Sequence, residues 1–208
     1  MTDNLYITAS CSIVNNLVIK NSQLLFENKE AAVQAFLVSV YQHFAINYPR
    51  FYKMDNLGKL GWLGAEILLE GSFDKNRYQP EDIGIVLSNK SSSLDTDIKY
   101  YETVKTIASP ALFVYTLPNI VMGEICIRHN FKGENDFFIF EQFNAGFIQK
   151  YVSHLFETGA LHACICGWVE IIDNGYKANL FLIEKKRTAN PVDFTEENIT
   201  HIYQNTHG

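Results

Sequence analysis

DFFIFEQFNAGF, residues 136–147, opens with bulky apolar residues and passes into NAGFIQKYVSHLFETG, where the apolar spacing is helical. The stretch reads as a buried strand, Asp136 to Phe140, running into a helix that stops at Gly159. A side chain at such a corner sits at the positive end of a helix, where a thiol becomes a good nucleophile. This sequence places Gln142 there. A glutamine donates and accepts hydrogen bonds but cannot attack an acyl group. Local physics reads it as a group that satisfies backbone at the helix start.

Working outward, LYITASCSIV (5–14) alternates and is rich in β-branched residues, as a first strand would be. A helix is expected from about Asn28 to Ile46, ended by NYPRF, because proline disfavours helix in the residue before it. MDNLGKLGWLGAEILLEG (54–71) reads as a second helix, with Asp55 as N-cap and Gly71 as stop. Its glycines 58, 61 and 64 lie three apart, which predicts close packing against a neighbour. DIGIVLSN (82–89) is a short apolar run, the mark of a buried parallel strand. A serine-rich loop at 90–93 enters a helix near Leu94, and a further helix is expected from about Pro118, with proline at N1. ALHACICGWVEII and KANLFLIEKK read as two strands joined by the turn DNGY. The order predicts an α/β layer fold with a mixed, mostly parallel sheet and helices on both faces. One domain is expected over 1–208, with a core at 5–187 and a polar tail at 188–208 holding one short helix.

The 208 residues suffice for one domain with a sizeable core. Hydrophobic residues at 47% and charged residues at 19% describe a globular chain, not a disordered one. An aromatic share of 13% could also line an apolar pocket or a partner surface. A net charge of −6 argues against nucleic acid as a partner. EKKR at 184–187 is too short to change that and reads as a solvated strand end. No apolar run reaches the roughly 18 residues of a membrane span, and no leader pattern opens the sequence. A cytoplasmic protein is expected. Cys164 and Cys166 share one strand face and read as reduced core residues rather than a metal site.

The sequence has no P-loop, G-x-G-x-x-G or G-x-S-x-G motif, so no cofactor is expected. His129, His154, His162, His201 and His207 read as surface or capping residues. Glu66, Glu70 and Glu124 read as solvated helix residues. KSSSLD could bind an anion at a helix start, or simply cap it with Asp95 in the first turn.

SPALFVYTLPNIVMGEICIRHNFKGENDFFIFEQFNAGF (109–147) resembles the N-terminal half of a β-ketoacyl-acyl-carrier-protein synthase. The family's S-P…T-x-P-N…G…I-R stretch is matched by Ser109, Pro110, Thr116, Pro118, Asn119, Gly123, Ile127 and Arg128. Lys132, Gly133 and Asn135 match its following turn. YKMDNLGKLGWLGAEILLEG is similar to its R-R-M-D helix, IGIVLSNKSSSLDT to its second strand and glycine loop, and GALHACICGWVEI to its G-G-x-E strand. The resemblance covers roughly residues 5–175 and implies half of a thiolase-like fold.

Departures from the family pattern carry the functional reading. The catalytic cysteine of the family maps onto Gln142, two loop glycines are Ser92 and Ser93, and the half that bears the catalytic histidines is not matched. Cysteine replaced by glutamine is also the mark of chain-length factors, the inactive partners of working ketosynthases. Short proteins of this kind resemble those of aryl-polyene and flexirubin-type pigment pathways. The resemblance therefore implies a non-catalytic subunit that pairs with a full-length ketosynthase and meets an acyl carrier protein. A malonyl-carrier decarboxylase using Gln142 and a free-standing carrier-binding module are the alternatives. Pairing is expected through Phe137, Phe138, Ile139 and Phe140, with a homodimer when the chain is alone. Leu94, Asp97 and Tyr101 form a helix stripe expected to line an acyl tunnel, Tyr101 serving as its stop or, failing that, as ordinary core.

Overall fold

The β-hairpin at the C-terminal side carries the sheet. In the computed structural model, which describes residues 4–186 and 191–205, β6 (Ala163–Ile172) and β7 (Gly175–Glu184) pair antiparallel from Ile172↔Gly175 back to Ala163↔Glu184. Asp173, at φ 53°, starts the expected turn. Gly167 of β6 has φ 147°, and a Cβ on it would lie 2.0 Å from the Asn179 carbonyl oxygen. Only glycine lets the two strands approach so closely there.

The preceding elements are β1 (Tyr6–Val14), β2 (Leu17–Lys20), β3 (Gln23–Glu27), α1 (Val33–His43), α2 (Asn56–Leu69) and β4 (Ile83–Asn89). They are followed by α3 (Leu94–Val104), α4 (Pro110–Phe113), α5 (Ile120–His129), β5 (Asn135–Ile139) and α6 (Ala145–Glu157). Beyond the hairpin lie β8 (Val192–Asp193) and α7 (Glu196–Gln204). The sheet order is β3-β2-β1-β7-β6-β4-β5, with β8 on β1. β4 is parallel to β5 and β6, while the other ladders are antiparallel. The sheet is mixed as expected. Most of its strands share one direction, yet parallel pairing is confined to β4 and its two neighbours.

Every residue of β4 is buried, which explains its unbroken apolar run. On one face α1, α2 and α5 cover the larger core, with Phe36, Leu60, Trp62, Leu63, Ile85 and Leu180 at its centre. On the other face α6 and α7 cover a smaller one, containing Val86, Ile148, Cys164, Cys166 and Phe181. Cys164 and Cys166 thus share a face in the core, as their spacing predicted.

Asp55 caps α2 by accepting from Gly58 N at 2.7 Å, and Gly71 follows the helix at φ 64°. The glycine spacing is explained in part by close approach. A Cβ on Gly61 would meet Val121 of α5 at 2.4 Å, and one on Gly64 would meet Leu180 at 2.9 Å, whereas Gly58 lies against its own cap.

Several boundaries differ from the sequence reading. Between the first strand and α1, where the sequence reading assigned no element, lie β2 and β3. Asn15–Asn16 and Asn21–Ser22 take positive φ and make two tight turns, a signal that Asn-rich pairs between apolar runs carry. α1 is shorter than expected at both ends. Proline stands at N1 of α4, at Pro110 with Ser109 as its cap, and α5 starts only at Ile120. The segment after 190 is not merely a polar tail: Phe194 and Ile199 are buried and β8 joins the sheet. Glu184 is not a solvated strand end, since it is 2% exposed and accepts from the hydroxyls of Thr8 and Tyr78. His207 lies outside the described residues.

Candidate functional site

β5 is the last strand of its sheet edge, so, unlike the buried strand expected at 136–140, none of its residues is fully buried, and the corner follows at 140–144. Phe140 N donates to the Asn89 carbonyl at 2.9 Å, tying the corner to the end of β4. Gln142 is exposed, and the start of α6 is capped instead by Asn144, whose Oδ1 accepts from Phe147 N at 2.9 Å. The reading of Gln142 as the group that satisfies the helix start is therefore corrected: it stands ahead of the cap, and Asn144 has the short side chain that fits.

Phe143, beside it, anchors the corner. Its ring lies 4.5 Å from that of Tyr203 on α7, with Trp168 and Phe181 also in ring contact. Lys177 Nζ sits 3.6 Å over the Tyr203 ring. Glu196 presses its carboxylate against Gly146 in the first turn of α6, where a Cβ would come within 2.7 Å. The C-terminal helix thus packs on the corner, a role its polar sequence did not announce.

No cysteine lies at the corner. Cys11, Cys164 and Cys166 are buried in strands, Cys126 is half-buried on α5, and burial pushes all four thiols up, Cys11 to about 12. Among the described residues no group of three His, Cys, Asp or Glu side chains could hold a metal. No helix among them is long and apolar enough to cross a membrane.

Of the four edge residues, Phe137 packs toward the larger core and Phe138 toward α6, where it meets Phe140, Phe147 and Tyr151. Ile139 stays half exposed. The α3 stripe divides. Leu94 and Tyr101 are exposed, with Tyr101 at 64%, so Tyr101 is not core. Asp97 is half-buried and accepts from Ser93 Oγ. Ile98 of α3, Phe113 of α4, and Ile107 and Leu117 in the segments that follow them are exposed as well, Ile107 at 85%.

The loop at 90–93 holds an anion, but the anion belongs to the chain. Glu170 Oε2 on β6 accepts from Lys90 N at 2.6 Å and Ser91 N at 3.1 Å. The sequence reading missed Glu170, which was visible only as the acidic end of GWVE.

Three readings of single residues change. Glu124 is 5% exposed and binds Arg50 and the Tyr115 hydroxyl. Glu66 is bound through two oxygens by Arg128 and lies 2.6 Å from His129 Nε2. Neither glutamate is solvated, and His129 is a half-buried partner rather than a surface residue. Both glutamates lie on helix faces turned toward other elements, which their positions in an isolated helix pattern do not reveal. Glu70, His154, His162 and His201 are exposed as expected.

These elements make a thiolase-like α/β fold, the fold of ketosynthase and chain-length-factor chains. The chain is similar to the ishigamide ketosynthase/chain length factor, with TM-score 0.62 and 16% identity over 87% of this chain and 62% of that one. It is similar to AntDE:AntF, a type II PKS acyl-carrier protein in complex with its ketosynthase bound to the hexaketide, with TM-score 0.60 and 15% identity over 88% and 63%. A third likeness is to the ketosynthase ApeO in complex with its chain length factor ApeC from Xenorhabdus doucetiae, with TM-score 0.61 and 12% identity over 97% of this chain and 90% of that one. The chain thus spans less than two thirds of the first two and nearly the whole of the third. No family model matches the sequence, and no curated protein does.

Proposed function

We propose that this chain is a non-catalytic, chain-length-factor-like subunit that pairs with a full-length ketosynthase in fatty-acid or polyketide-type biosynthesis, the aryl-polyene pigments being the class that the sequence resemblance favours. The observation that carries the reading is the pairing of a ketosynthase-type fold with a corner that bears Gln142 and no thiol. The bare edge of β5 and the exposed apolar residues of α3 and α4 supply a face for a partner. An acyl carrier protein would dock on the assembled pair.

Co-expression with a ketosynthase from the same genome tests this. The expected result is a one-to-one complex that survives size exclusion and condenses malonyl units, while this chain alone does not. A monodisperse monomer at micromolar concentration that captures no ketosynthase would sink the reading. Carbon dioxide release from malonyl-carrier protein by the purified chain, lost in Gln142→Ala, would replace it with the decarboxylase.

A further inference from the structure

We propose that the turn at 90–93 is an anion-binding turn whose resident anion is the chain's own Glu170, and that this contact sets the position in which α3 presents Leu94, Ile98 and Tyr101. The partner half of the statement rests on the pairing proposed above. The positioning half concerns this chain alone.

Five hydrogen bonds converge on the turn. Glu170 Oε2 gathers the two successive backbone N–H groups of Lys90 and Ser91, the concave arrangement that favours negative charge. Asn89, fully buried, holds Ser92 from both sides: its Oδ1 accepts from Ser92 N at 2.9 Å and its Nδ2 donates to Ser92 O at 2.8 Å. Ser92 is thereby kept at φ 52°. Ser93 Oγ donates to the Thr116 carbonyl at 2.9 Å, joining the turn to the segment after α4. α3 begins at the next residue.

Of these contacts the Glu170 carboxylate is the only one that reaches from β6, an inner strand of the sheet. Asn89 and Ser93 lie in or next to the turn they hold. Without Glu170 the turn would keep its local shape, its link to Thr116 and the Thr96–Asp55 bond from α3 to the cap of α2, but would lose its hold on β6. The other oxygen, Glu170 Oε1, is buried without a hydrogen-bond partner. A chain that needed only to fill space would not keep a half-satisfied carboxylate there. Lys177 lies opposite Glu170 across the β6–β7 ladder. The Tyr203 hydroxyl on α7 is pushed up first by burial and then by the Glu170 charge.

The experiment begins on the isolated chain, with amide hydrogen exchange over residues 90–104. Glu170→Ala is expected to raise exchange there about tenfold, with the rest of the sheet unchanged. Formate, which fits the vacated turn, should restore protection in that variant, and formamide, of the same shape without charge, should not. Glu170→Gln, which keeps an acceptor oxygen, should fall between and covers the case in which the alanine variant does not fold. Unchanged exchange in both variants, or no response to formate, would overturn the proposal. In a second arm, ketosynthase affinity should fall about tenfold in Glu170→Ala and recover with formate. An affinity that stays at the wild-type value while exchange rises would overturn the link from turn to docking face. Failure of the wild-type chain to bind any ketosynthase would instead strike the pairing and leave the exchange result standing.

Discussion

At Gln142 the geometry limits what chemistry could be restored. The residue precedes the Asn144 cap and is exposed, so it does not share the field of the first turn of α6. A thiol placed there by Gln142→Cys is expected to titrate near the ordinary value of about 8.5. Iodoacetamide labelling against pH would report it, and the same variant should accumulate no acyl-enzyme from an acyl thioester. A labelling midpoint two or more units lower would mean that the corner activates a nucleophile after all. Glu66 offers a second residue-level test. Burial alone would raise its carboxyl, but the contacts from His129 and Arg128 outweigh that and hold it below its ordinary 4.5. A carboxyl lowered by folding adds stability above its unfolded value, and the gain is lost as pH falls through the folded one. Melting temperature should therefore drop below about pH 4.5 in the wild type and drop less steeply in Glu66→Gln. Asp55 works the opposite way, since burial raises it and its contribution fades as pH rises. Equal acid slopes for wild type and Glu66→Gln would remove the α2–α5 contact from the account.

Among the elements, α3 is where exposure and function meet. Tyr101 is exposed, so Tyr101→Ala should shift stability by no more than about 0.5 kcal/mol. In the pairing reading, its ring stops the growing chain at the interface, and the reconstituted pair carrying the variant should release longer products. Mass spectrometry of those products, read beside a melting curve, decides it: unchanged lengths from a normally folded variant take Tyr101 out of the tunnel. The sequence announced β4, which is buried throughout, and β6, which is buried over most of its length, because burial on both faces writes a continuous apolar run. It announced α2 through its cap and its glycines. It hid β2 and β3, whose signal lies in the Asn turns rather than in hydrophobicity. It also hid Glu170 and Tyr203, because a carboxylate that binds backbone and a ring that packs on a distant strand leave no local pattern. Gln142 was legible, but the cap beside it was not.

For the whole molecule, the two faces of the sheet are unequal, and the inequality has a consequence in time. Three helices cover one face over a core that includes Trp62 and Phe36, while α6 and α7 alone cover the other. Native chains open in parts, and the parts with the least buried apolar contact open first. The α6–α7 layer is expected to come away before α2 does, carrying with it the Phe143–Tyr203 contact that holds the corner. Exchange followed over hours should show α7 and the first turn of α6 losing protection ahead of α2, and β4 last of all. If α2 exchanged first, the larger core would not be the more durable one. Should the order hold, the corner is shorter-lived than α2 and β4, and a protein that binds there would lengthen its lifetime.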